Sequence, residues 1–113
     1  IIDAGMNDHI RTPLYEAKHN ILPVRKQRKS RNKFTVAGPI CESADYFDKK
    51  FPYGLEEGEL IVIGSSGAYG FSMSSNYNAR LKPPEVLILN KKIKLIRKRE
   101  TFDDYISEEI GLD

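Results

Sequence analysis

Most of the 113-residue sequence consists of short runs of residues that favour β-strands. Each run is ended within a few residues by glycine, proline or asparagine. Proline cannot donate to a strand ladder, and glycine and asparagine adopt turn conformations, so this spacing indicates short strands joined by turns. The predicted class is mainly β, a barrel or a sandwich with short helical turns and a terminal helix. The predicted strands are residues 1–4, 21–24, 34–37, 60–64, 85–89 and 93–97.

Two of these segments carry more specific expectations. Residues 60–64 begin with four consecutive apolar residues, which predicts a central strand covered on both faces. The segment from Asn90 to Lys92 separates two apolar runs and predicts a β-hairpin, because asparagine tolerates the left-handed conformation that a tight turn needs.

Helical segments are expected at two places. Thr12 is a suitable cap and Pro13 suits a first helical position, which together predict a single turn. Near the end of the sequence, Thr101 and Asp104 have the spacing of a capping arrangement, and apolar residues recur at helical spacing as far as Ile110. A short amphipathic terminal helix is therefore predicted.

Composition narrows the class of protein. With 30% charged residues and a net charge of +2, the chain is typical of a globular protein, and residues 1–113 form one domain. No apolar run approaches the roughly 20 residues that a membrane span needs, and a single cysteine suits a reducing compartment. We expect a cytoplasmic protein without a membrane partner. Because the sequence opens on Ile1 inside a strand-like run, we also expect a part of a longer chain.

The single cysteine follows a predicted strand. Gly38 and Pro39 end the run at residues 34–37, so Cys41 is expected on a loop beside Glu42. A thiol in that position is a candidate nucleophile, metal ligand or proton donor. The alternative is a small buried packing residue, which is the common fate of a lone cysteine.

A basic run extends from Arg25 to Lys33 and suggests nucleic-acid binding, since clustered cations gain affinity by releasing phosphate counterions. A solvated loop is the favoured interpretation. No aromatic residue is interleaved for base stacking, and acidic residues elsewhere nearly cancel the charge. We therefore expect no nucleic-acid partner.

Three motifs, at residues 3–8, 38–43 and 67–78, together resemble the diaminopimelate decarboxylases in order and spacing. The hairpin and the segment from Arg97 to Thr101 also resemble the C-terminal end of that family, so the likeness covers essentially the whole chain. The family belongs to the alanine racemase-like decarboxylases, which use pyridoxal 5′-phosphate.

The resemblance implies the C-terminal β domain of a two-domain enzyme. The N-terminal α/β barrel, which carries the cofactor lysine, is absent from this chain, and these residues alone are expected to be inactive. The implied reaction removes the carboxyl group at the D-centre of meso-diaminopimelate and yields L-lysine and CO2, a step of lysine biosynthesis. The implied partners are the barrel of the same protein and a second subunit that shares the active site; no metal is implied.

The same resemblance assigns roles to individual residues. Cys41 matches the proposed proton donor, and a thiol is mostly protonated at neutral pH. Glu42 matches the carboxylate that contacts the distal ammonium of the substrate. Arg11 and Tyr15 match the pair that holds the distal carboxylate, and Tyr69 matches a tyrosine that reaches both cofactor and substrate.

Relatives of the same fold that act on ornithine or arginine are the alternative. They usually have aspartate after the cysteine, so Glu42 and the stretch from Gly70 to Met73 favour diaminopimelate. The chain also departs from the family pattern, because family members commonly have Arg-Pro-Ala-Leu-Tyr where Arg11 to Tyr15 read Arg-Thr-Pro-Leu-Tyr.

Overall fold

The structure is a computed structural model that describes residues 1–111. It confirms the mainly β class, with two short helices, and within the described residues no helix has the length and apolar character of a membrane span. The chain divides into two compact units, Ile1–Ser74 and the part from Ser75 onward. The elements are α1 (Arg11–Tyr15), β1 (Ile21–Pro23), β2 (Phe34–Ala37), β3 (Tyr46–Phe51), β4 (Ile61–Ile63), a 3-10 turn (Tyr77–Ala79), β5 (Glu85–Leu89), β6 (Lys92–Arg97) and α2 (Phe102–Tyr105).

Within residues 1–111, strand pairing is antiparallel and occurs in two-stranded ladders. In the first unit β1 pairs with β4, Ile21 opposite Ile63, and β2 pairs with β3, Phe34 opposite Phe51. In the second unit β5 pairs with β6. Among the described residues these ladders do not close into a barrel.

The strand β3 was not predicted, and the predicted strand at residues 1–4 does not form. The adjacent Lys49 and Lys50 break the polar–apolar alternation of β3, and the β2–β3 register is irregular, so its pattern was not that of a regular strand. At the start of the chain, the Ile2 amide donates to the Ala37 carbonyl at 2.8 Å, but no ladder follows.

The core of the first unit lies between its two ladders. Its buried members come from β1, β2 and β3, and Phe51 is only 2% exposed. The prediction of a central strand at residues 60–64 is wrong, because among the described strands β4 pairs only with β1, and Val62 is 53% exposed. The buried apolar side chains of this core are Ile21, Val36, Phe47 and Phe51.

The second unit confirms the predicted hairpin. Asn90 and Lys91 have φ angles of 51° and 61°, the left-handed pair that a two-residue turn between β5 and β6 needs. The capping arrangement of Thr101 and Asp104 is also confirmed, and the hydrogen bond from Lys98, followed by the one from Thr101, holds the pKa of Asp104 far below its usual range. The helix α2 ends at Tyr105 rather than near Ile110.

Candidate functional site

The loop that follows β2 exposes the single cysteine. Ile40 is buried and points inward, while Cys41 and Glu42 are exposed at a tight turn. The Glu42 amide donates to the Ile40 carbonyl at 2.8 Å, and the Asp45 amide donates to the Glu42 carbonyl at 3.1 Å. The loop position of Cys41 is therefore confirmed, and a packing role in the core is excluded.

A buried carboxylate, which sequence reasoning missed, anchors this loop. Asp45 is 4% exposed, and its Oδ2 accepts from the Ile40 amide at 2.7 Å. Its Oδ1 accepts from the Met6 amide, also at 2.7 Å. One side chain thus joins the cysteine loop to a turn 39 residues earlier. No pattern in the sequence distinguishes Asp45, which directly precedes β3, from Asp48 within that strand.

Two glycines allow close backbone approach where the cysteine loop meets the earlier turn. A methyl group at Gly38 would lie 2.7 Å from Cγ of Asp45, and one at Gly5 would lie 2.7 Å from Cγ1 of Ile40. Both distances are well inside van der Waals contact, so a side chain at either position would displace the loop or the turn. These glycines belong to the first two sequence motifs, which the structure brings together.

The turn at residues 5–8 leads into helix α1. Asp8 closes it, since its Oδ2 accepts from the Gly5 amide at 2.8 Å. The helix begins at Arg11 after Ile10, which makes no side-chain cap, so the predicted cap at Thr12 is wrong. Thr12 lies inside the helix, is buried, and donates to the Ala17 carbonyl at 2.9 Å.

Helix α1 places a cation against two tyrosines. The guanidinium carbon of Arg11 lies 5.8 Å from the ring centroid of Tyr15, one helical turn along, and 4.7 Å from that of Tyr69. Tyr15 and Tyr69 are both more than half exposed. The predicted site residues Arg11, Tyr15 and Tyr69 form one cluster in the first unit, and Cys41 and Glu42 lie on the loop that Asp45 bonds to Met6.

A buried histidine lies just before helix α1 and was also missed by sequence reasoning. His9 is 5% exposed; its ring makes an edge contact with His19 at 4.3 Å and stacks on Phe47 at 6.2 Å. His19 in turn donates from Nδ1 to the Gly64 carbonyl at 2.9 Å. Burial, with smaller contributions from His19 and Arg11, lowers the pKa of His9 below 6.5. A neutral His9 therefore packs against β3, just before α1 begins.

The chemistry of these side chains suits an anionic, amine-bearing ligand. Arg11 offers a planar cation, the two phenols offer directional hydrogen bonds, and Glu42 offers a negative charge. Among residues 1–111 no cluster of three or more histidine, cysteine, aspartate or glutamate side chains is arranged to hold a metal ion. The basic loop from Arg25 to Lys33 lies largely exposed, tied through Gln27 to Glu59 at 2.7 Å.

Comparison with known proteins gives one consistent family. A family model described as the C-terminal sheet domain of pyridoxal-dependent decarboxylases matches residues 1–67. The diaminopimelate decarboxylase of Aquifex aeolicus is 46% identical over 110 residues, which are 96% of this chain and 26% of that protein. That of Vibrio cholerae is 46% identical over 100 residues, 88% of this chain and 24% of that protein.

Solved structures agree with the sequence relatives. Diaminopimelate decarboxylase from M. jannaschii in complex with L-lysine has a TM-score of 0.87 at 41% identity, covering 98% of this chain and 26% of that one. The enzyme from Helicobacter pylori, complexed with L-lysine, has a TM-score of 0.84 at 46% identity, covering 93% and 26%. The chain spans about a quarter of the length of the curated relatives it matches.

Proposed function

Because the chain belongs to the family of C-terminal sheet domains of pyridoxal-dependent decarboxylases, we propose that it completes the active site of a diaminopimelate decarboxylase. In this proposal a longer protein, the parent enzyme, joins these residues to an N-terminal α/β barrel that carries the cofactor lysine. The reaction converts meso-diaminopimelate to L-lysine and CO2 in lysine biosynthesis, and the residues described here are inactive without the barrel. The observation that carries the proposal is the Arg11–Tyr15–Tyr69 cluster in a chain whose relatives share that name.

The cluster fits one edge of a pyridoxal phosphate site. Tyr69 is 53% exposed, with the Arg11 guanidinium beside its ring, so its phenol is open to a group on a facing domain. When bound, the cofactor supplies an electron sink for the carbon that loses its carboxyl group. This chain would contribute Tyr69 to holding cofactor and substrate, and the barrel would contribute the rest.

Exposed polar and charged side chains of this chain select the substrate. The distal carboxylate of meso-diaminopimelate accepts two parallel hydrogen bonds from the Arg11 guanidinium and one from the Tyr15 phenol. Glu42 attracts the distal ammonium. A diamine precursor without that carboxylate, such as ornithine, leaves Arg11 unpaired and binds less well.

Cys41 returns the proton. After CO2 leaves, its exposed thiol donates to one face of the former α-carbon, and the fixed loop determines which face receives the proton. The carbon then carries two hydrogens, and product release allows the thiolate to take a proton from water. A cytoplasmic, reducing setting keeps this cysteine a free thiol.

The parent enzyme is proposed to act as a homodimer whose active sites are shared. Mixing subunits that carry Cys41→Ala with subunits that lack the barrel lysine tests this arrangement. Random reassortment restores roughly a quarter of the native activity if the two groups act across the interface, since half of the dimers are mixed and each contains one intact site of two. No recovery contradicts a shared site.

The function itself is tested by a substrate panel. The parent enzyme with pyridoxal phosphate is incubated separately with meso-diaminopimelate, ornithine and arginine, and CO2 and amine products are quantified. We expect lysine from meso-diaminopimelate with kcat/KM at least about 100-fold above the other two substrates. Preferential turnover of ornithine or arginine would instead assign the chain to that branch of the fold.

A further inference from the structure

The buried carboxylate of Asp45 occupies the junction of two loops that both carry proposed site residues. Its Oδ2 bonds the amide of Ile40, the residue directly before Cys41, and its Oδ1 bonds the amide of Met6, on the turn that leads to α1. With 4% of its surface exposed, Asp45 makes both bonds away from water.

Only a carboxylate satisfies both loops at once. Each backbone amide points at a different oxygen, and an ionised carboxylate is acceptor-only at both. An asparagine at this position has one oxygen and one NH2 group, so one of the two backbone donors would face another donor. The carboxylate also needs a glycine at position 38, because a methyl group on Gly38 would lie 2.5 Å from Oδ1 of Asp45.

Further bonds make the loop rigid around this point. The Gly38 amide donates to the Asp45 carbonyl at 3.0 Å, and the Asp45 amide donates to the Glu42 carbonyl at 3.1 Å. Asp45 therefore holds both sides of the turn that presents Cys41 and Glu42, and its side chain ties that turn to Met6.

We propose that Asp45 is a positioning residue, which fixes the Cys41 thiol against the turn that leads to the Arg11 helix, so that the proton reaches one face of the substrate carbon. The proposal rests on the proposed function. Losing either bond allows the loop to move relative to the turn, and a displacement of about 1 Å at a reacting group lowers turnover about 100-fold.

The test uses the parent enzyme and the variant Asp45→Asn. Gly38→Ala is the second variant, because it keeps the Asp45 carboxylate but places a methyl group in the space that the carboxylate occupies. Asp48→Asn is the matched control: Asp48 lies on β3, three residues after Asp45, and its Oδ1 accepts from the nearby Lys50 amide at 2.7 Å. Folding is checked by thermal unfolding of each protein.

Three readouts are combined. Steady-state kinetics on meso-diaminopimelate give kcat and KM separately. Turnover in D2O places one deuterium on the decarboxylated carbon, and the configuration of that CHD centre reports which face received it. The rate at which iodoacetamide alkylates Cys41, followed by peptide mass, reports the exposure of the thiol without any turnover.

The proposal predicts that Asp45→Asn and Gly38→Ala lower kcat about 10- to 100-fold, with KM within about threefold of native. It also predicts mixed deuterium configuration and several-fold faster alkylation, with the Asp48→Asn enzyme unchanged in all three. Variants that lose thermal stability but keep native kcat and a single configuration would overturn it, because Asp45 would then be structural only.

The two proposals fail in different ways. If Asp45→Asn does not fold, Gly38→Ala decides by the same readouts. If the native parent enzyme does not decarboxylate meso-diaminopimelate, the proposed function fails, and the alkylation rates still decide the role of Asp45. Equal alkylation of Cys41 in the native protein and both variants overturns the positioning role whatever the substrate is.

Discussion

Replacing Arg11 by lysine in the parent enzyme is expected to weaken recognition of the distal carboxylate while keeping the positive charge. Lysine is a point donor and cannot form the two parallel bonds that the guanidinium forms. It also loses the planar contact with Tyr69, whose ring centroid lies 4.7 Å from the guanidinium carbon.

The size of the effect follows from these two losses. A hydrogen bond to a charged group contributes about 1.5 kcal/mol at the low end of its range, and a cation–π contact on half-exposed rings contributes about 0.5 kcal/mol. The sum is about 2 kcal/mol, which is about 30-fold in kcat/KM.

The assay compares two substrates. On meso-diaminopimelate the Arg11→Lys enzyme should lose about 30-fold in kcat/KM, mostly through KM. On D-lysine, which lacks the distal carboxylate, only the cation–π contribution is lost, so kcat/KM should fall by no more than about twofold. Arg28→Lys, in the exposed basic loop, is the matched control and should change neither value. A similar loss on both substrates, or no loss on either, would refute the assigned role of Arg11.

Three further changes are predicted for the same enzyme. In the native protein, His9 in the unfolded chain takes up a proton near pH 6.5, whereas folded His9 binds it only at lower pH. The contribution of His9 to the free energy of unfolding is therefore full above pH 6.5 and falls below it, by at most about 1.4 kcal/mol per pH unit. His9→Phe should remove this loss of stability on acidification. Urea unfolding at pH 7 and pH 5.5 measures this, and an unchanged difference would contradict it. Phe51→Ala should cost about 3–5 kcal/mol of unfolding free energy, because the side chain is 2% exposed and leaves a cavity; a loss under about 1 kcal/mol in denaturant titration would count against the assigned core. Arg28→Glu with Lys29→Glu should leave kcat unchanged, and the native protein should not bind RNA or DNA in filter assays at low salt; salt-sensitive binding would revive the nucleic-acid alternative.

Features that depend on local chemistry were predictable from the sequence. The turn at Asn90 needs two residues with positive φ and follows from asparagine between two apolar runs. The end of β2 at Ala37, and with it the loop position of Cys41, follows from Gly38 and Pro39. The cap at Thr101 follows from the spacing of Thr101 and Asp104.

Features that depend on distant partners were not predictable. The apolar run at residues 60–64 has the composition of a central strand, but the burial of a strand depends on its neighbours. In the part of the chain that the structure describes, β4 pairs only with β1. The sequence of β3 does not reveal which face is buried, because its two buried residues, Phe47 and Phe51, are separated by three charged residues. The proposed role of Asp45 depends on its hydrogen bond with the Met6 amide, 39 residues away in the sequence. A local sequence pattern cannot predict a contact over that separation.

The resemblance to known decarboxylases supplied the roles of Cys41, Glu42 and Tyr69, and these roles stay predictions. The structure adds the physical support beneath them. Arg11 lies beside Tyr69 through the placement of α1, and the cysteine loop is held by a buried carboxylate. Mutations of that support should therefore affect turnover without touching a substrate-binding group.

Removing the thiol tests the central claim most directly. Lysine formation from meso-diaminopimelate is measured for the native parent enzyme, for Cys41→Ala and for Ser43→Ala, the matched control on the same loop. We expect Cys41→Ala to lower kcat by at least about 100-fold, as loss of a general acid does, and Ser43→Ala to keep native turnover. Native lysine formation by the Cys41→Ala enzyme would contradict the assignment of Cys41 as proton donor.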